Sequence, residues 1–487
     1  MKLEKILKGV DIAEQTADAG MEIGELKYDS RQVQNGDVFV AITGYETDGH
    51  KYIGKAIELG ASAIVLEHVP EGGISVPYIR VDSSRRALAQ MAANYFDHPA
   101  DSMTMIGITG TNGKTTTTYL LKTILEAQGH TVGLIGTNQN MIGNEILPTE
   151  RTTPESFELH KLFAQMRDAG CTHVIMEVSS HSLVLDRVYG IEFAVGAFTN
   201  LTQDHLDYHK TMEEYFRCKC LLFERNLKGG AVNADDSWGQ KILKSYGKKD
   251  KLASVSMKDI HCDYFGKTAE ADITGQVLEI YIKGEYAGDV RLSMPGVQFA
   301  YDALIAIGLA YEYGIEFDKI RAGIETLRSV PGRWQLVWDR DNIRAIVDFA
   351  HTPDALERLL KTARNLTDGQ IICMFGCGGD RDTGKRFQMG EIAGRYSDYV
   401  IVTSDNPRGE DPEDITARIE EGVYSTGASY SVISDRKKAI RKAAVLARKN
   451  TLIIVAGKGH EKYQIIGDKK LPFDDVRILK EFLEEKY

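Results

Sequence analysis

The residues MTMIGITGTNGKTTTTYLLKTILEAQ (103–128) carry the most informative local pattern in the chain. A short apolar run comes first, a glycine-rich turn follows, and apolar residues then recur at helical spacing. The pattern predicts a buried strand, a loop and a helix in direct succession. This order of elements opens a nucleotide-binding α/β unit.

The loop in this stretch has the chemistry of a phosphate-binding loop. Its glycines let backbone N–H groups approach phosphate oxygens, and the following helix N-terminus adds positive potential. It departs from the standard G-x-x-x-x-G-K-[ST] spacing, because Ile108 stands at the position of the first glycine. A glycine-rich turn without a ligand is the alternative, and the strand before and helix after disfavour it. The predicted phosphate-loop residues are Gly110, Thr111, Asn112, Gly113, Lys114, Thr115 and Thr116.

Composition limits the class of protein. The chain has 487 residues, which at about 150 residues per domain predicts roughly three domains. A net charge of −11 argues against a nucleic-acid-binding surface and against docking on an anionic membrane. No stretch approaches the roughly 20 apolar residues of a membrane span. The first residues are charged and lack a secretory apolar core, so we expect a cytoplasmic protein. Six cysteines without a C-x-x-C pair are expected to be free thiols.

The order of strand and helix patterns predicts an α/β fold in three domains, 1–100, 101–332 and 333–487. Strand patterns after the phosphate loop alternate with helices, which indicates a parallel, doubly wound central sheet. Residues 271–296 have instead the pattern of antiparallel strands. The last domain is predicted to be Rossmann-like, and its strands end in the polar loops GCGGDRDTGKR, SDNPRGEDP and GKGHEKYQ. Ligands bind at the carboxyl ends of strands in such sheets, so these loops are expected to line one site.

The variant phosphate loop and ten further motifs resemble the Mur ligase family, whose fold folylpolyglutamate synthases share. The motifs occur in the family's order along almost the whole chain. They are YDSRQVQNGDVFVAITGYETDGHKYI (28–53), RTTPES (151–156), MEVSSHSLVLDRV (176–188), TNLTQDHLDYH (199–209), YFRCKCLLF (215–223), VNADD (232–236), VDFAHTPDAL (347–356), FGCGGDRDTGKR (375–386), DNPR (405–408) and AGKGHEKYQ (456–464).

The resemblance is strongest to members that add the third amino acid of the peptidoglycan precursor. It implies a three-domain Mur ligase architecture with a P-loop ATPase-like central sheet. It implies ATP and Mg²⁺ as cofactors, and UDP-N-acetylmuramoyl dipeptide and meso-diaminopimelate as partners. The expected reaction joins diaminopimelate to the D-glutamate of the dipeptide through an acyl phosphate, with no nucleic acid and no membrane insertion.

Four residues are expected to carry the catalytic chemistry. Thr115, Glu177 and His205 stand at strand ends or in the loops that follow, where ligands for phosphate-bridging Mg²⁺ belong. The alternative for His205 is simple hydrogen bonding. For Lys219 the resemblance implies a carbamate that helps to position Mg²⁺; by itself it would be a solvated helix lysine. The catalytic set is Lys114, Lys219, His205 and Glu177, and the metal set is Thr115, Glu177, His205 and carbamylated Lys219.

The resemblance also implies contacts to the rest of ATP, with Arg333 near the phosphates and Asp348 by the ribose. The sequence departs from the family here. Asp302 in PGVQFAYDA stands where asparagine is common, and PGRWQLV replaces the usual P-G-R-M-E. Asp302 is therefore not assigned an adenine contact.

The nucleotide-sugar dipeptide is expected to contact the first and central domains. The resemblance implies a uridine-diphosphate end at Ser30 and the loop containing Tyr45, Glu46 and Thr47. The implied muramoyl-dipeptide contacts are Thr152, Thr153, Ser179 and Arg187. Arg187 has a planar fork that suits a carboxylate. The DSR segment is explained equally well by an Asx-turn.

The DNPR turn is expected to select the amine that is added. Diaminopimelate has a carboxylate at the far end that lysine lacks, and the fork of Arg408 suits it. Asp405 and Asn406 are predicted to accept hydrogen bonds from the ammonium, while Pro407 stiffens the turn. The alternative for Arg408 is a surface ion pair with Glu410. The other residues predicted to contact the added amino acid are Arg381, Gly457 and Glu461.

Three rival functions remain at this point. One is the same ligase with L-lysine as the acceptor, which the arginine of DNPR disfavours. Another is a folate ligase, which the YDSR and DNPR segments disfavour. The third rival, from a different class of protein, is an ATP-driven P-loop switch. The chain has no N-K-x-D guanine signature, which disfavours a GTPase-like module. Phosphate release that depends on both the dipeptide and an amino acid separates the ligases from the switch.

Overall fold

The computed structural model describes residues 1–44, 47–149, 151–204, 206–246 and 251–487. Its strands are β1 (Ile12–Gln15), β2 (Leu26–Lys27), β3 (Val38–Val40), β4 (Ala63–Leu66), β5 (Tyr78–Val81), β6 (Thr104–Thr109), β7 (Val132–Ile135), β8 (Asn140–Ile142), β9 (Glu145–Leu147), β10 (His173–Glu177), β11 (Val195–Phe198), β12 (Gly229–Asn233), β13 (Leu252–Ser256), β14 (Tyr264–Asp272), β15 (Gly275–Ile282), β16 (Glu285–Leu292), β17 (Gln335–Arg340), β18 (Ile343–Asp348), β19 (Gln370–Phe375), β20 (Tyr399–Val402), β21 (Ser429–Val432), β22 (Thr451–Ala456), β23 (Tyr463–Ile466) and β24 (Lys469–Pro472).

The helices alternate with these strands. They are α1 (Leu3–Ile6), α2 (Ile53–Glu58), α3 (Ser84–Tyr95), α4 (Lys114–Glu126), α5 (Ser156–Asp168), α6 (Ser180–Val184), α7 (Leu206–His209), α8 (Met212–Cys220), α9 (Ser237–Tyr246), α10 (Val297–Glu312), α11 (Phe317–Thr326), α12 (Pro353–Leu366), α13 (Lys385–Tyr396), α14 (Pro412–Tyr424), α15 (Arg436–Leu446) and α16 (Asp475–Lys486). Among the described residues, no helix has both the length and the apolar character needed to cross a membrane.

The chain divides into two compact units, residues 1–254 with 308–314 and residues 255–307 with 315–487. The three predicted domain ranges stay a prediction. The predicted α/β class is confirmed, because strands and helices alternate and the main sheets are rich in parallel pairs.

The first unit contains a sheet that positions the phosphate loop. Strands β11, β6, β10 and β7 are neighbours and run parallel, so their carboxyl ends reach one edge. Strand β6 is buried over nearly its whole length. Helix α4 follows the loop and buries Leu120, Leu121, Ile124 and Leu125, the helical spacing that the sequence showed. A separate sheet in this unit has the order β1-β5-β4-β3-β2.

The second unit contains the sheet of the last predicted domain. Its order is β17-β18-β22-β19-β20-β21, with β17 antiparallel to β18 and the other pairs parallel. Strands β14, β15 and β16 pair antiparallel, which confirms the prediction for residues 271–296. Strands β18, β19, β20 and β22 carry their polar loops at the carboxyl ends, as the Rossmann-like pattern predicts.

Helix α5 buries a histidine that makes stability depend on pH. His160 is only 3% exposed and stacks edge-on against Phe163, with ring centroids 5.6 Å apart. Neither of its ring nitrogens has a hydrogen-bond partner among the described residues. Burial, with a smaller contribution from His98, lowers the pKa of His160 to about 4. The imidazole is therefore neutral in the folded chain at pH 7.

Because of this histidine, we expect the free energy of unfolding to fall in acid. The unfolded chain takes up a proton at His160 near pH 6.5 and the folded chain only near pH 4, so the loss develops as pH falls between these values. Between pH 8 and pH 5 this protonation lowers the free energy of unfolding by about 2 kcal/mol. The free energy of unfolding of His160→Leu is expected to fall by about 2 kcal/mol less than that of the parent between pH 8 and pH 5. Urea unfolding at both pH values measures this difference. The control is His261→Leu, which changes an exposed histidine. Equal losses in His160→Leu and the parent would refute the expectation.

Candidate functional site

The backbone of the phosphate loop is held by the segment that follows β11. Gly110 has a φ of +145°, and a Cβ there would collide with the Thr199 hydroxyl. Thr199 Oγ1 donates to Asn112 O at 2.6 Å, and Thr111 N donates to Asn200 O at 2.9 Å. Glycine is therefore required at position 110, and the loop has a defined shape that leads into the N-terminus of α4.

A buried carboxylate stands beside the first turn of α4. Glu177, at the end of β10, is 1% exposed, and its Oε1 accepts hydrogen bonds from Thr115 Oγ1 at 2.9 Å and Thr137 N at 3.0 Å. Its Oε2 accepts from Thr137 Oγ1 at 2.8 Å. A carboxylate and a hydroxyl in contact next to a phosphate loop are the oxygen donors that Mg²⁺ prefers. The residues present therefore fit a magnesium ion.

Two lysines converge on one carbonyl oxygen of the loop. Lys114 Nζ donates to Gly110 O at 3.0 Å and to Thr111 O at 2.8 Å. Lys219 Nζ, from α8, donates to the same Gly110 O at 2.8 Å. Lys219 is 1% exposed, so the alternative of a solvated helix lysine is wrong. Burial, and then the charge of Lys114, lower the pKa of Lys219 well below its ordinary value. The structure thus places an amine at the phosphate loop in surroundings that favour its neutral form over its charged form.

The predicted dipeptide contacts of the central range lie next to Glu177. Thr153 Oγ1 donates to Glu177 O at 2.7 Å and accepts from Ser179 N at 3.2 Å. Thr152 Oγ1 lies 3.0 Å from Thr137 Oγ1. Arg187 NH1 donates to Thr153 O at 3.0 Å. The structure therefore brings Thr152, Thr153, Ser179 and Arg187 to one place.

Sequence reasoning missed the charge cluster around Arg187. The Glu155 carboxylate contacts Arg187 at 2.7 Å, Arg151 at 2.9 Å and Arg85 at 3.3 Å. Three guanidinium groups share one carboxylate, which leaves a net positive charge. Arg187 Nε is also buried without a hydrogen-bond partner among the described residues. The RTTPES motif contains Glu155, but no local signal reveals a partner on α3, 70 residues away.

The remaining contacts predicted for the nucleotide end are only partly described. Tyr45 and Glu46 lie outside the described residues, and so does His205, which was predicted as a catalytic residue and metal ligand. Ser30 is buried in a short 3-10 helix, where Asp29 Oδ1 accepts from the backbone N–H two residues on at 3.0 Å. This is the Asx-turn that was the alternative for DSR. Thr47 Oγ1 lies 3.3 Å from an exposed tyrosine hydroxyl.

In the second unit, Arg333 lies in the segment that precedes β17, and Asp348 is the last residue of β18. Asp348 accepts hydrogen bonds from Trp334 N at 2.7 Å and Ala350 N at 2.8 Å. Burial raises the pKa of Asp348, and the charge of Arg333 partly opposes this. The Arg333 guanidinium lies 4.9 Å from the centre of the Phe349 ring. The two predicted ATP residues are therefore close neighbours.

Arg408 is held within the DNPR turn. It has a φ of +53°, and its NH1 donates to Gly379 O at 2.8 Å. Glu410 instead accepts two hydrogen bonds from Arg386, both at 2.9 Å. The alternative that Arg408 forms a surface pair with Glu410 is therefore wrong, because another arginine occupies that carboxylate. Arg381 is exposed beside the same turn, and its NH1 donates to Asp380 O at 3.4 Å.

The structure corrects the role predicted for Asn406. Its Oδ1 accepts from Lys458 Nζ and from Ile465 N, each at 2.9 Å. Its Nδ2 donates to Glu461 Oε2 at 2.9 Å. Both lone pairs of the amide oxygen are engaged, so Asn406 is not an acceptor for an ammonium group. Asp405 and Glu461 provide carboxylates there, and a Cβ at Gly457 would press on Asp405 Oδ2.

A buried ion pair holds the carboxyl ends of β20 and β22, whose loops form this site. The sequence did not predict this ion pair. Arg436 NH2 lies 2.6 Å from Asp475 Oδ2, and both side chains are fully buried. The same guanidinium donates to Ser404 O at 3.2 Å and to Ala456 O at 3.1 Å. These carbonyls belong to the loop after β20 and the end of β22. The pair therefore ties together the two strand ends whose loops contain Asp405 and Gly457.

Three family models match consecutive parts of the chain. They are the Mur ligase family catalytic domain at residues 22–96, the Mur ligase middle domain at 108–310 and the Mur ligase glutamate ligase domain at 332–459. A UDP-N-acetylmuramoyl-L-alanyl-D-glutamate--2,6-diaminopimelate ligase of Clostridium acetobutylicum is 44% identical over 497 residues, covering 100% of both chains. The ligase of the same name from Clostridium tetani is also 44% identical, again over 100% of both chains.

Solved structures agree with these matches. The structure of a UDP-N-acetylmuramoyl-L-alanyl-D-glutamate--2,6-diaminopimelate ligase has a TM-score of 0.71 and 30% identity, and covers 100% of this chain and 99% of that one. MurF of Thermotoga maritima, in complex with ADP, has a TM-score of 0.63 at 19% identity, covering 95% and 98%. The second likeness bears on the fold alone, and both agree with the predicted architecture.

Proposed function

Because the chain belongs to the Mur ligase family, we propose that it joins meso-2,6-diaminopimelate to the D-glutamate of UDP-N-acetylmuramoyl-L-alanyl-D-glutamate at the expense of ATP. The observation that carries the proposal is the phosphate loop with Thr115 and Glu177 in contact and Lys219 buried against it. A lone nucleotide switch has no need of the buried amine. The reaction is a step of peptidoglycan synthesis, which we place in the cytoplasm.

The reaction proceeds in two bond exchanges. A carboxylate oxygen of D-glutamate attacks the terminal phosphorus of ATP, so that an acyl phosphate forms and ADP leaves. The amine then attacks the acyl carbon, and the tetrahedral intermediate expels inorganic phosphate as the amide forms and the amine loses a proton. Activation is necessary because a carboxylate is a poor electrophile.

The first unit provides the groups for phosphoryl transfer. The N–H groups of residues 110–116 and the Lys114 ammonium hold the phosphate oxygens. Thr115 and Glu177, with His205 and the carbamate form of Lys219, would hold Mg²⁺, which neutralises charge on the phosphates when bound. Arg333 and Asp348, in the second unit, are proposed to contact the rest of ATP. The proposed domain ranges are 1–100 for the UDP-sugar, 101–332 for ATP and 333–487 for the amino acid.

The dipeptide substrate is anionic, and the Arg85, Arg151 and Arg187 cluster has more positive charge than its single carboxylate balances. This supports the assignment of Arg187, with Thr152, Thr153 and Ser179, to the muramoyl dipeptide. Ser30, Tyr45, Glu46 and Thr47 are assigned to the uridine-diphosphate end. The amino acid is assigned to Arg381, Asp405, Asn406, Pro407, Arg408, Gly457 and Glu461.

A phosphate-release assay tests this function. The enzyme is incubated with ATP and Mg²⁺, with or without the UDP-dipeptide, and with meso-diaminopimelate, L-lysine or no amine. Sustained release is expected only with the UDP-dipeptide and meso-diaminopimelate together, with the UDP-tripeptide as product by mass spectrometry. Equal release with L-lysine would refute the acceptor assignment. Release with ATP alone would indicate the P-loop switch.

A further inference from the structure

Lys458 is a fully buried lysine in the loop after β22. Its exposure is 0%, and its ammonium contacts Asn406 Oδ1 at 2.9 Å, Glu461 Oε2 at 2.9 Å and Asp405 Oδ1 at 3.8 Å. A buried ammonium is stable only when its N–H groups have partners. All three contacts here are residues assigned to the amino acid, although Lys458 itself has no assigned role.

The lysine determines which way the Asn406 amide points. An ammonium only donates hydrogen bonds, so the amide must turn its oxygen toward Lys458. The backbone N–H of Ile465 donates to the same oxygen at 2.9 Å, which reinforces this orientation. The amide nitrogen then faces Glu461 and keeps a second N–H. Two independent donors therefore make Asn406 a donor toward any ligand of the loop.

We propose that Lys458 is a positioning residue that makes the DNPR turn select a carboxylate. The inference rests on the proposed function, in which the second amino-acid head of meso-diaminopimelate has the carboxylate that L-lysine lacks. Asn406 keeps one amide N–H beyond the one that Glu461 accepts, and Arg408 carries its guanidinium on the same turn. Without Lys458, the Asn406 oxygen keeps only the Ile465 N–H as a donor, so the amide orientation is held less firmly. Asp405 and Glu461 also lose the positive charge that they share, and their uncompensated carboxylates repel a carboxylate ligand.

Steady-state kinetics of Lys458→Met test the proposal, because methionine keeps the length of the side chain and removes the ammonium. The KM for meso-diaminopimelate is expected to rise about 10- to 100-fold, the range for a buried polar group that loses its partner. The KM values for ATP and the UDP-dipeptide are expected to stay within about twofold of the parent. Lys470→Met is the matched control, because Lys470 is exposed on β24, and its kinetics are expected to equal the parent's. An unchanged KM for meso-diaminopimelate in Lys458→Met would overturn the proposal.

Two further variants separate positioning from a general structural role. In an Asn406→Ala background, Lys458→Met is expected to raise the KM for meso-diaminopimelate by a smaller factor than in the parent, because the part of its effect that acts through the amide is already lost. Fully additive effects on the KM would contradict the proposal. Asn406→Asp keeps the partner of Lys458 and removes the donor, so it is expected to weaken meso-diaminopimelate binding. An Asn406→Asp enzyme that uses meso-diaminopimelate as well as the parent would overturn the proposal, even if Lys458→Met does not fold.

The parent enzyme separates this inference from the proposed function. If the parent releases no phosphate with the UDP-dipeptide and meso-diaminopimelate, the proposed function fails, and this inference with it. If the parent is active and the Lys458 and Asn406 variants match it, only the positioning role fails.

Discussion

Replacing Lys219 with alanine is expected to lower kcat by about 10²- to 10³-fold, the range for losing one preorganised group in a phosphate or oxyanion site. The amine is buried, lies 2.8 Å from Gly110 O and has a pKa held well below its ordinary value by burial and by Lys114. A neutral amine can attack CO₂: an N–C bond forms, a proton leaves, and the product is an anionic carbamate. The anion would sit beside Lys114 and the magnesium ligands, where negative charge is stabilised.

The measurement combines kinetics with intact mass. The parent is expected to carry the mass of one CO₂ that is lost on acidification, and Lys219→Ala is expected not to carry it. Lys122→Ala is the matched control, since Lys122 is also a buried lysine of the first unit, 5% exposed and paired with Glu126 at 2.7 Å. It is expected to retain kcat. Full activity in Lys219→Ala would refute the role proposed for this residue.

Replacing Arg408 with alanine is expected to raise the activation free energy that kcat/KM for meso-diaminopimelate reports by about 2–5 kcal/mol. This range is by analogy with truncated charge pairs in buried sites. The Arg408 guanidinium is anchored to Gly379 O at 2.8 Å and not to Glu410, so its charge remains available to a ligand. L-Lysine has no carboxylate at that end. The expected result is therefore a loss of discrimination and not a uniform loss of activity.

Discrimination is measured as the ratio of kcat/KM for meso-diaminopimelate to that for L-lysine. Arg408→Lys keeps the charge but lacks the planar fork, so an intermediate ratio is expected. Arg418→Ala is the control, because Arg418 is an exposed arginine of α14 paired with Glu421. If Arg408→Ala discriminates between the two amino acids as the parent does, the assignment of this arginine is wrong.

Local patterns predicted the fold because they depend on near neighbours in the sequence. The apolar spacing of 120–125 led to α4, and the run before Gly110 led to β6. The antiparallel strands of 271–296 and the polar loops after the last parallel strands were equally visible. Periodicity reports which face of an element is buried, and burial drives the formation of that element.

Contacts between distant residues were not accessible in this way. The motifs placed Glu155 in a candidate loop, but its pairing with Arg85 depends on how α3 packs in the first unit. The same holds for Arg436, whose fully buried partner Asp475 is 39 residues away. A buried charge has no periodic signature, because its stability depends on one partner rather than on a face.

The sequence by itself determined the elements, the phosphate loop and the residue types of the proposed active site. Only the tertiary structure decided what those residues do to one another. Lys219 became a buried amine because α8 places it on Gly110 O, 109 residues away. Asn406 became a donor because Lys458, 52 residues away, occupies its oxygen. The physical reason is that desolvation and hydrogen-bond direction depend on the surroundings in space, which local sequence does not contain.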